Sequence, residues 1–123
     1  MRTVGRLAAE VLEMIALHPD VHAVIYLGIG IQSNQARLLR EGGFYPDHGI
    51  DRIVAYHERQ DQRFAEAADE LSKRTGKPIL TATELAVADP ENPGPATVRA
   101  TGRLCYPSGN RAVAALGHLY RAA

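Results

Sequence analysis

The apolar positions of this chain fall into two alternating periods, one helical and one strand-like, and that alternation predicts an α/β protein. Val4, Leu7, Ala8, Val11, Leu12 and Ile15 share one helical face, so residues 3–17 read as an amphipathic helix that stops at His18-Pro19-Asp20. Residues 21–27 (VHAVIYL) are almost continuously apolar and β-branched, as expected of a parallel strand covered on both faces. That strand runs into Gly28-Ile29-Gly30-Ile31-Gln32-Ser33-Asn34, after which residues 36–40 read as helix, with Ser33 or Asn34 as N-cap. Gly42, Gly43, Pro46 and Gly49 then break the pattern. Ile50, Ile53, Val54, His57 and Phe64 resume a helical spacing; RIVAY at 52–56 also fits a short strand, and helix is the favoured reading.

Residues 62–75 read as a further helix, with Lys73 and Arg74 in its last turn and Gly76 at C′. Residues 79–83 are a second buried strand, and 84–94 an irregular loop rich in Pro, Asn and Gly. Pro95 suits the first turn of a short helix to Ala100, which Gly102 closes. Residues 104–106 make a third strand, and Ser108 or Asn110 caps a last helix whose Val113, Leu116 and Leu119 face inward. The order α-β-α-α-β-α-β-α predicts a three-layer fold, a parallel sheet with right-handed crossovers and helices on both faces. Three strands are few for a flavodoxin-like sheet, which normally carries about five. If these are the last three, the first β-α-β is absent, and VHAVIYL has a free apolar edge that needs a partner or a shield.

At 123 residues the chain fits one domain, 1–123, with a single modest core. Fourteen Lys+Arg balance fourteen Asp+Glu, which argues against nucleic acid or an acidic membrane surface as partner, so any anion site must be local. A lone Cys105 excludes an internal disulfide and fits a reducing cytoplasm. No apolar stretch approaches the length of a membrane span, and Glu10 and Glu13 interrupt what would have to be the apolar run of a signal sequence.

The candidate chemistry lies in the glycine turn. Gly28 and Gly30 permit positive φ and close backbone approach, and the helix that follows directs free N–H groups and its positive dipole end outward. Together they predict a phosphate-sized anion cradle at the carboxyl end of a parallel strand. The turn is no Walker A loop, and the third glycine of a dinucleotide fingerprint is replaced by Ser33. The competing reading is that the glycines only permit a tight turn and close helix packing.

Three segments, LHPDVHAVIYLGIGIQSNQARLL, GKPILTATELA and LCYPSGNRAVAALGHLYRA, resemble the carboxyl-terminal flavodoxin-like module of NDP-forming acyl-CoA synthetases. That group includes ADP-forming acetyl-CoA synthetase, and succinyl-CoA synthetase shares the fold. The resemblance covers nearly the whole chain, with 41–62 and 89–95 as insertions, and its most specific piece is the ending YPS..RAV.AL..LY. It implies a ligase module that presents a helix N-terminus to a phosphohistidine during phosphoryl relay between acyl phosphate and nucleotide. Gly28, Ile29, Gly30, Ile31, Gln32 and Ser33 then lie on the phosphohistidine-facing turn. It also implies that the histidine loop, the CoA-binding module and the ATP-grasp domains are separate partners. CoA, ATP or ADP and Mg belong to the full enzyme, and none is bound by this chain alone. Homo-oligomeric or hetero-complex assembly follows from the same resemblance. The alternative is a noncatalytic docking module that mediates oligomerisation; a nucleotide-binding Rossmann-like protein is a third, weaker reading.

Other residues have mainly structural readings. His57 and Asp61 stand at i and i+4, a metal-ligand spacing, but H-E-x-x-D lacks a third ligand, and a solvated or interface face is the expectation. Among the histidines, His48 beside Asp47 is the best placed for phosphorylation, although none has a glycine-rich loop around it. Cys105 reads as a buried inert thiol, Arg37 and Arg40 as surface charge near the cradle, and Glu84 as a cap or an orienting carboxylate.

Overall fold

A computed structural model describes residues 4–42 and 47–122. The chain runs through α1 (Val4–Leu17), β1 (Val24–Leu27), α2 (Ile31–Glu41), α3 (Asp47–Thr75) and β2 (Ile79–Ala82). It continues through α4 (Leu85–Ala88), α5 (Pro93–Ala100), β3 (Cys105–Tyr106) and α6 (Gly109–Ala122). The strands form one parallel sheet in the order β1-β2-β3, with Val24 opposite Ile79 and Thr81 opposite Cys105. The expected α/β architecture with a thin parallel sheet is therefore present. No strand pairs with the outer edge of β1 among the described residues.

The α3 helix organises the molecule. Residues 52–56 are helical, so the strand alternative does not form, and the segments split at residue 62 in the sequence reading are one helix of 29 residues. The reason is a single inward stripe, Ile50, Val54, His57, Asp61, Phe64, Ala68 and Leu71, whose alternating steps of four and three keep one side of the helix on the core. At 1.5 Å per residue the helix extends roughly 43 Å and can touch several partners in turn. It packs against α1, α2 and α5, and the main core gathers Leu12, Ala16, Ile29, Phe64, Ala68, Leu71, Ile79 and Val98. Gly76 ends it as expected, with φ +70 and its N–H donating to Ser72 O at 2.9 Å.

The sheet is covered unequally. Val24 and Tyr26 point into the α1–α3–α5 core. Leu27, on the opposite face by strand alternation, meets the start of α6 at Gly109, and α6 crosses all three strands. Helices do lie on both faces, but the second face has α6 alone among the described residues. The inward face expected for α6 is consequently only partly covered: Ala112 is fully buried, whereas Val113 is 59% and Leu119 52% exposed. The α1 face is rotated in the same way. Leu12 and Ala16 are buried, while Val11 and Ile15 are exposed, because α3 covers one flank only.

Local signals set the remaining ends. His18-Pro19-Asp20 does stop α1, and Lys77 Nζ donates to its terminal carbonyls, Ala16 O at 2.6 Å and His18 O at 3.0 Å. The loop at 84–94 is less irregular than its composition suggests, since it contains α4. Its first N–H, on Leu85, donates to Thr83 Oγ1, so Glu84 makes no side-chain cap. Ser108 caps α6 through the N–H of Arg111 at 3.2 Å. No helix of the described residues is long and apolar enough to cross a membrane.

Candidate functional site

The glycine turn is built as the sequence implies, at the carboxyl end of β1, but its helix starts earlier than expected. Gly30, with φ +88, is the N-cap residue of α2, and the helix begins at Ile31. Ser33 and Asn34 therefore lie inside the first turn rather than capping it. Gly28 also has φ +88, and its N–H continues the sheet pattern by donating to Ala82 O at 2.7 Å.

The inner side of this turn is locked by a residue that the sequence reading left in a loop. Asn92 is fully buried and caps α5, its Oδ1 accepting from the Gly94 N–H at 2.9 Å. Its Nδ2 donates to Gly30 O at 3.1 Å and to Ser33 Oγ at 3.3 Å. One amide side chain thus joins the N-termini of two helices. The fit needs glycine twice. A Cβ on Gly30 would collide with Asn92 Oδ1, and one on Gly94 would lie 2.9 Å from the Gly30 nitrogen. A signal for Asn92 was present: Asn followed by Pro at the first helical position is a helix start.

The other side of the α2 N-terminus faces Asp61. Its Oδ2 is buried with no hydrogen-bond partner. Burial pushes the Asp61 carboxyl above the usual carboxylate range; the Ser33 hydroxyl and N–H, the His57 ring and the Gly30 N–H pull the other way without cancelling it. Burial also raises the Tyr26 phenol, and the Asp61 charge adds to the rise. A cavity of about 70 Å³ lies here, lined by Tyr26, Gln32, Tyr56, His57, Gln60 and Asp61 among others. Tyr26 also packs on Phe64, ring centroids 4.2 Å apart. His57 and Asp61 are therefore not on a solvated face. They occupy the core-facing stripe of α3, and their register with Val54 and Phe64 was the sequence signal for it.

Of the six residues expected on the anion-facing turn, Ile31 and Gln32 are exposed and Gly28 is half-buried. Ile29, Gly30 and Ser33 are buried, and Ile29 belongs to the main core. Arg37 adds no free positive charge, because it is engaged by Glu58 at 2.6 Å and Asp89 at 3.6 Å; Arg40 pairs with Asp51 at 3.4 Å. Cys105 is half-buried, and burial raises its thiol pKa. No group of three His, Cys, Asp or Glu side chains able to hold a metal ion occurs among the described residues. His48 falls in the first turn of α3, and its side chain lies outside the described residues.

Fold and site together define an α/β protein with a parallel sheet and, at the carboxyl end of β1, a glycine turn of positive φ that leads into α2. Comparison with family models, curated proteins and solved structures finds no match.

Proposed function

We propose that this chain is a flavodoxin-like module of an NDP-forming acyl-CoA synthetase, and that its α2 N-terminus stabilises a phosphohistidine during phosphoryl relay. The stabilisation would come from preorganised backbone dipoles, with no acid–base side chain required. The observation that carries the reading is the turn itself: Gly28 and Gly30 hold positive φ at the carboxyl end of β1, and α2 starts at Ile31 with a glycine N-cap and so no side-chain cap over its first N–H groups. The resemblance of the three chain segments supplies the phosphohistidine, and the outer edge of β1, unpaired among the described residues, fits a sheet continued by a further strand. CoA, nucleotide and Mg belong, on this reading, to the other domains.

Gln32→Glu tests it. Gln32 is exposed at the second position of α2, where a carboxylate suits the helix dipole but repels an incoming phosphoryl group. In a synthetase whose corresponding module is replaced by this chain, the variant should keep its thermal midpoint and lose about tenfold in relay from acyl phosphate to ADP, the order expected for one like charge at a helix terminus. Relay at the unsubstituted rate would overturn the proposal.

A second reading, a docking module without catalytic part, is favoured by the exposed apolar side chains Leu27, Leu104, Val113 and Leu119 on the thinly covered side of the sheet.

A further inference from the structure

Parallel pairing uses only half of the main-chain groups of β1. The Val24 and Gly28 N–H groups donate to Pro78 O and Ala82 O, so the alternate residues Ile25 and Leu27 turn their N–H and C=O groups to the outer edge. No strand pairs with that edge among the described residues, and residues 21–27 hold no Pro, Lys, Arg, Asp or Glu, the usual protections of an open edge. Apolar flanks stand on both sides of it. In α1, Ala9 and Glu13 lie toward α3, where Glu13 pairs with Arg74 at 3.2 Å, while Ala8 shares a cavity with Tyr26 of β1. Leu12 and Ala16 face the core, so the exposed Val11 and Ile15 fall on the flank away from α3, over the outer edge of β1. Across the sheet Gly109 meets Leu27, and the exposed Val113 and Tyr120 follow Gly109 on one stripe of α6. An apolar band therefore runs from α1 across the open strand edge to α6.

The extent of the surface points the same way. The chain exposes 7771 Å², whereas a compact monomer of 13.4 kDa exposes about 6500 Å². The difference, about 1300 Å², is more than the roughly 800 Å² that each partner buries in an interface of standard size. We infer that the outer edge of β1 is the interface between two copies of this chain, paired antiparallel about a two-fold axis so that their sheets become one. The occupant is a second copy because the edge is self-complementary. An antiparallel partner of the same sequence returns an N–H for each C=O and an apolar flank for each apolar flank, and the balanced charge sets no net repulsion between copies. Only outward-facing residues exchange hydrogen bonds in such a pair, and with Tyr26 on the axis Ile25 stands opposite Leu27 of the second copy. Their side chains then form one apolar row on the α6 face. The inference rests on the docking reading, for which it names the partner, and is independent of the phosphoryl one.

Sedimentation equilibrium of the whole chain, combined with amide hydrogen exchange followed by NMR, tests it. The mass should approach twice 13.4 kDa as concentration rises, and exchange at the Ile25 and Leu27 N–H groups should slow in step. Ile25→Pro removes an N–H that the monomer does not use, so it should keep the helical circular-dichroism signal. It should weaken dimerisation about tenfold or more, as expected for two lost hydrogen bonds, one from each copy. Leu27→Lys, at an exposed position, should weaken the dimer without the backbone constraint of proline. Leu104→Glu, also at an exposed apolar position but beside the far edge strand, should leave the dimer intact. Self-association without slowed exchange at Ile25 and Leu27 would overturn the inference, as would equal weakening by Leu104→Glu and Leu27→Lys, or full-strength dimerisation of a folded Ile25→Pro chain. A monomer at every concentration would overturn it as well. If the Ile25 and Leu27 amides of that monomer become protected when the other synthetase domains are added, the docking reading stands with a different occupant.

Discussion

Asn92 and Asp61 sit on opposite sides of the same turn and contribute to it in opposite ways. Asn92 bonds Gly30 O, Ser33 Oγ and the Gly94 N–H at once; without it Gly30 O keeps the Asn34 N–H and the Ser33 hydroxyl, but the buried Gly94 N–H loses its acceptor. Asn92→Ala should therefore cost about 1–3 kcal/mol in urea unfolding, as expected for a lost cap with one unsatisfied buried N–H. Asp61 behaves differently. Burial holds its folded-state pKa above the unfolded value, so the native state binds the proton more readily. Its contribution to stability is present below the unfolded carboxylate range and is lost as pH rises through the raised folded value. Asp61→Asn should accordingly raise the thermal midpoint at neutral pH, by about 4 °C for each kcal/mol recovered, and the gain should vanish in acid. A midpoint lowered at neutral pH would show that the charge stabilises the helix terminus by more than burial costs.

At the scale of elements, the long α3 helix is tied to the loop after α5 by Asp69, which accepts from Arg103 and pairs with Lys73 at 2.9 Å. These hydrogen bonds, Arg103 first, hold the Asp69 carboxyl below the usual range. The stability they supply is present above the unfolded carboxylate pKa and lost as pH falls through the depressed folded value. Arg103→Met should therefore lower stability by about 1 kcal/mol at neutral pH, and the gap from the unsubstituted chain should narrow in strong acid. Most element identities were legible in the sequence, because capping and periodicity are local. The start of α2 was not, since a glycine N-cap lacks the side-chain signature of Ser or Asn. The unity of α3 was obscured by the β-branched run at 52–56, which also fits a short strand, although Ile50, Val54, His57, Asp61 and Phe64 keep one helical register. The burial of only one flank of α1 had no local signature, because it depends on how many helices arrive to cover it.

The whole molecule has one well-packed side and one that is thinly covered. Leu104 is 70% and Leu27 64% exposed, and the outer edge of β1 is unpaired among the described residues. An apolar surface next to an open strand edge favours association. Sedimentation should show the isolated chain self-associating, and the double substitution Val113→Glu with Leu119→Glu should shift it toward monomer while the helical circular-dichroism signal is kept. A clean monomer at all concentrations, with no affinity for other synthetase domains, would remove the docking reading. The balanced charge of the chain offers no long-range repulsion against such contacts.

What the sequence determined by itself was local: the α/β alternation, the helix stops, and a strand–glycine–helix turn with positive φ at Gly28 and Gly30. These depend on residues a few positions apart, whose backbone preferences and side-chain periods are visible in one window. Tertiary structure decided what stands against that turn. Asn92 is 62 residues from Gly30, and Asp61 comes from a different helix, so neither could be assigned to the site by spacing. Packing along α3 sets the Asp61 carboxyl on one side of the turn and the α5 cap sets the Asn92 amide on the other, so the surroundings of a locally encoded turn are supplied by residues far from it in the chain.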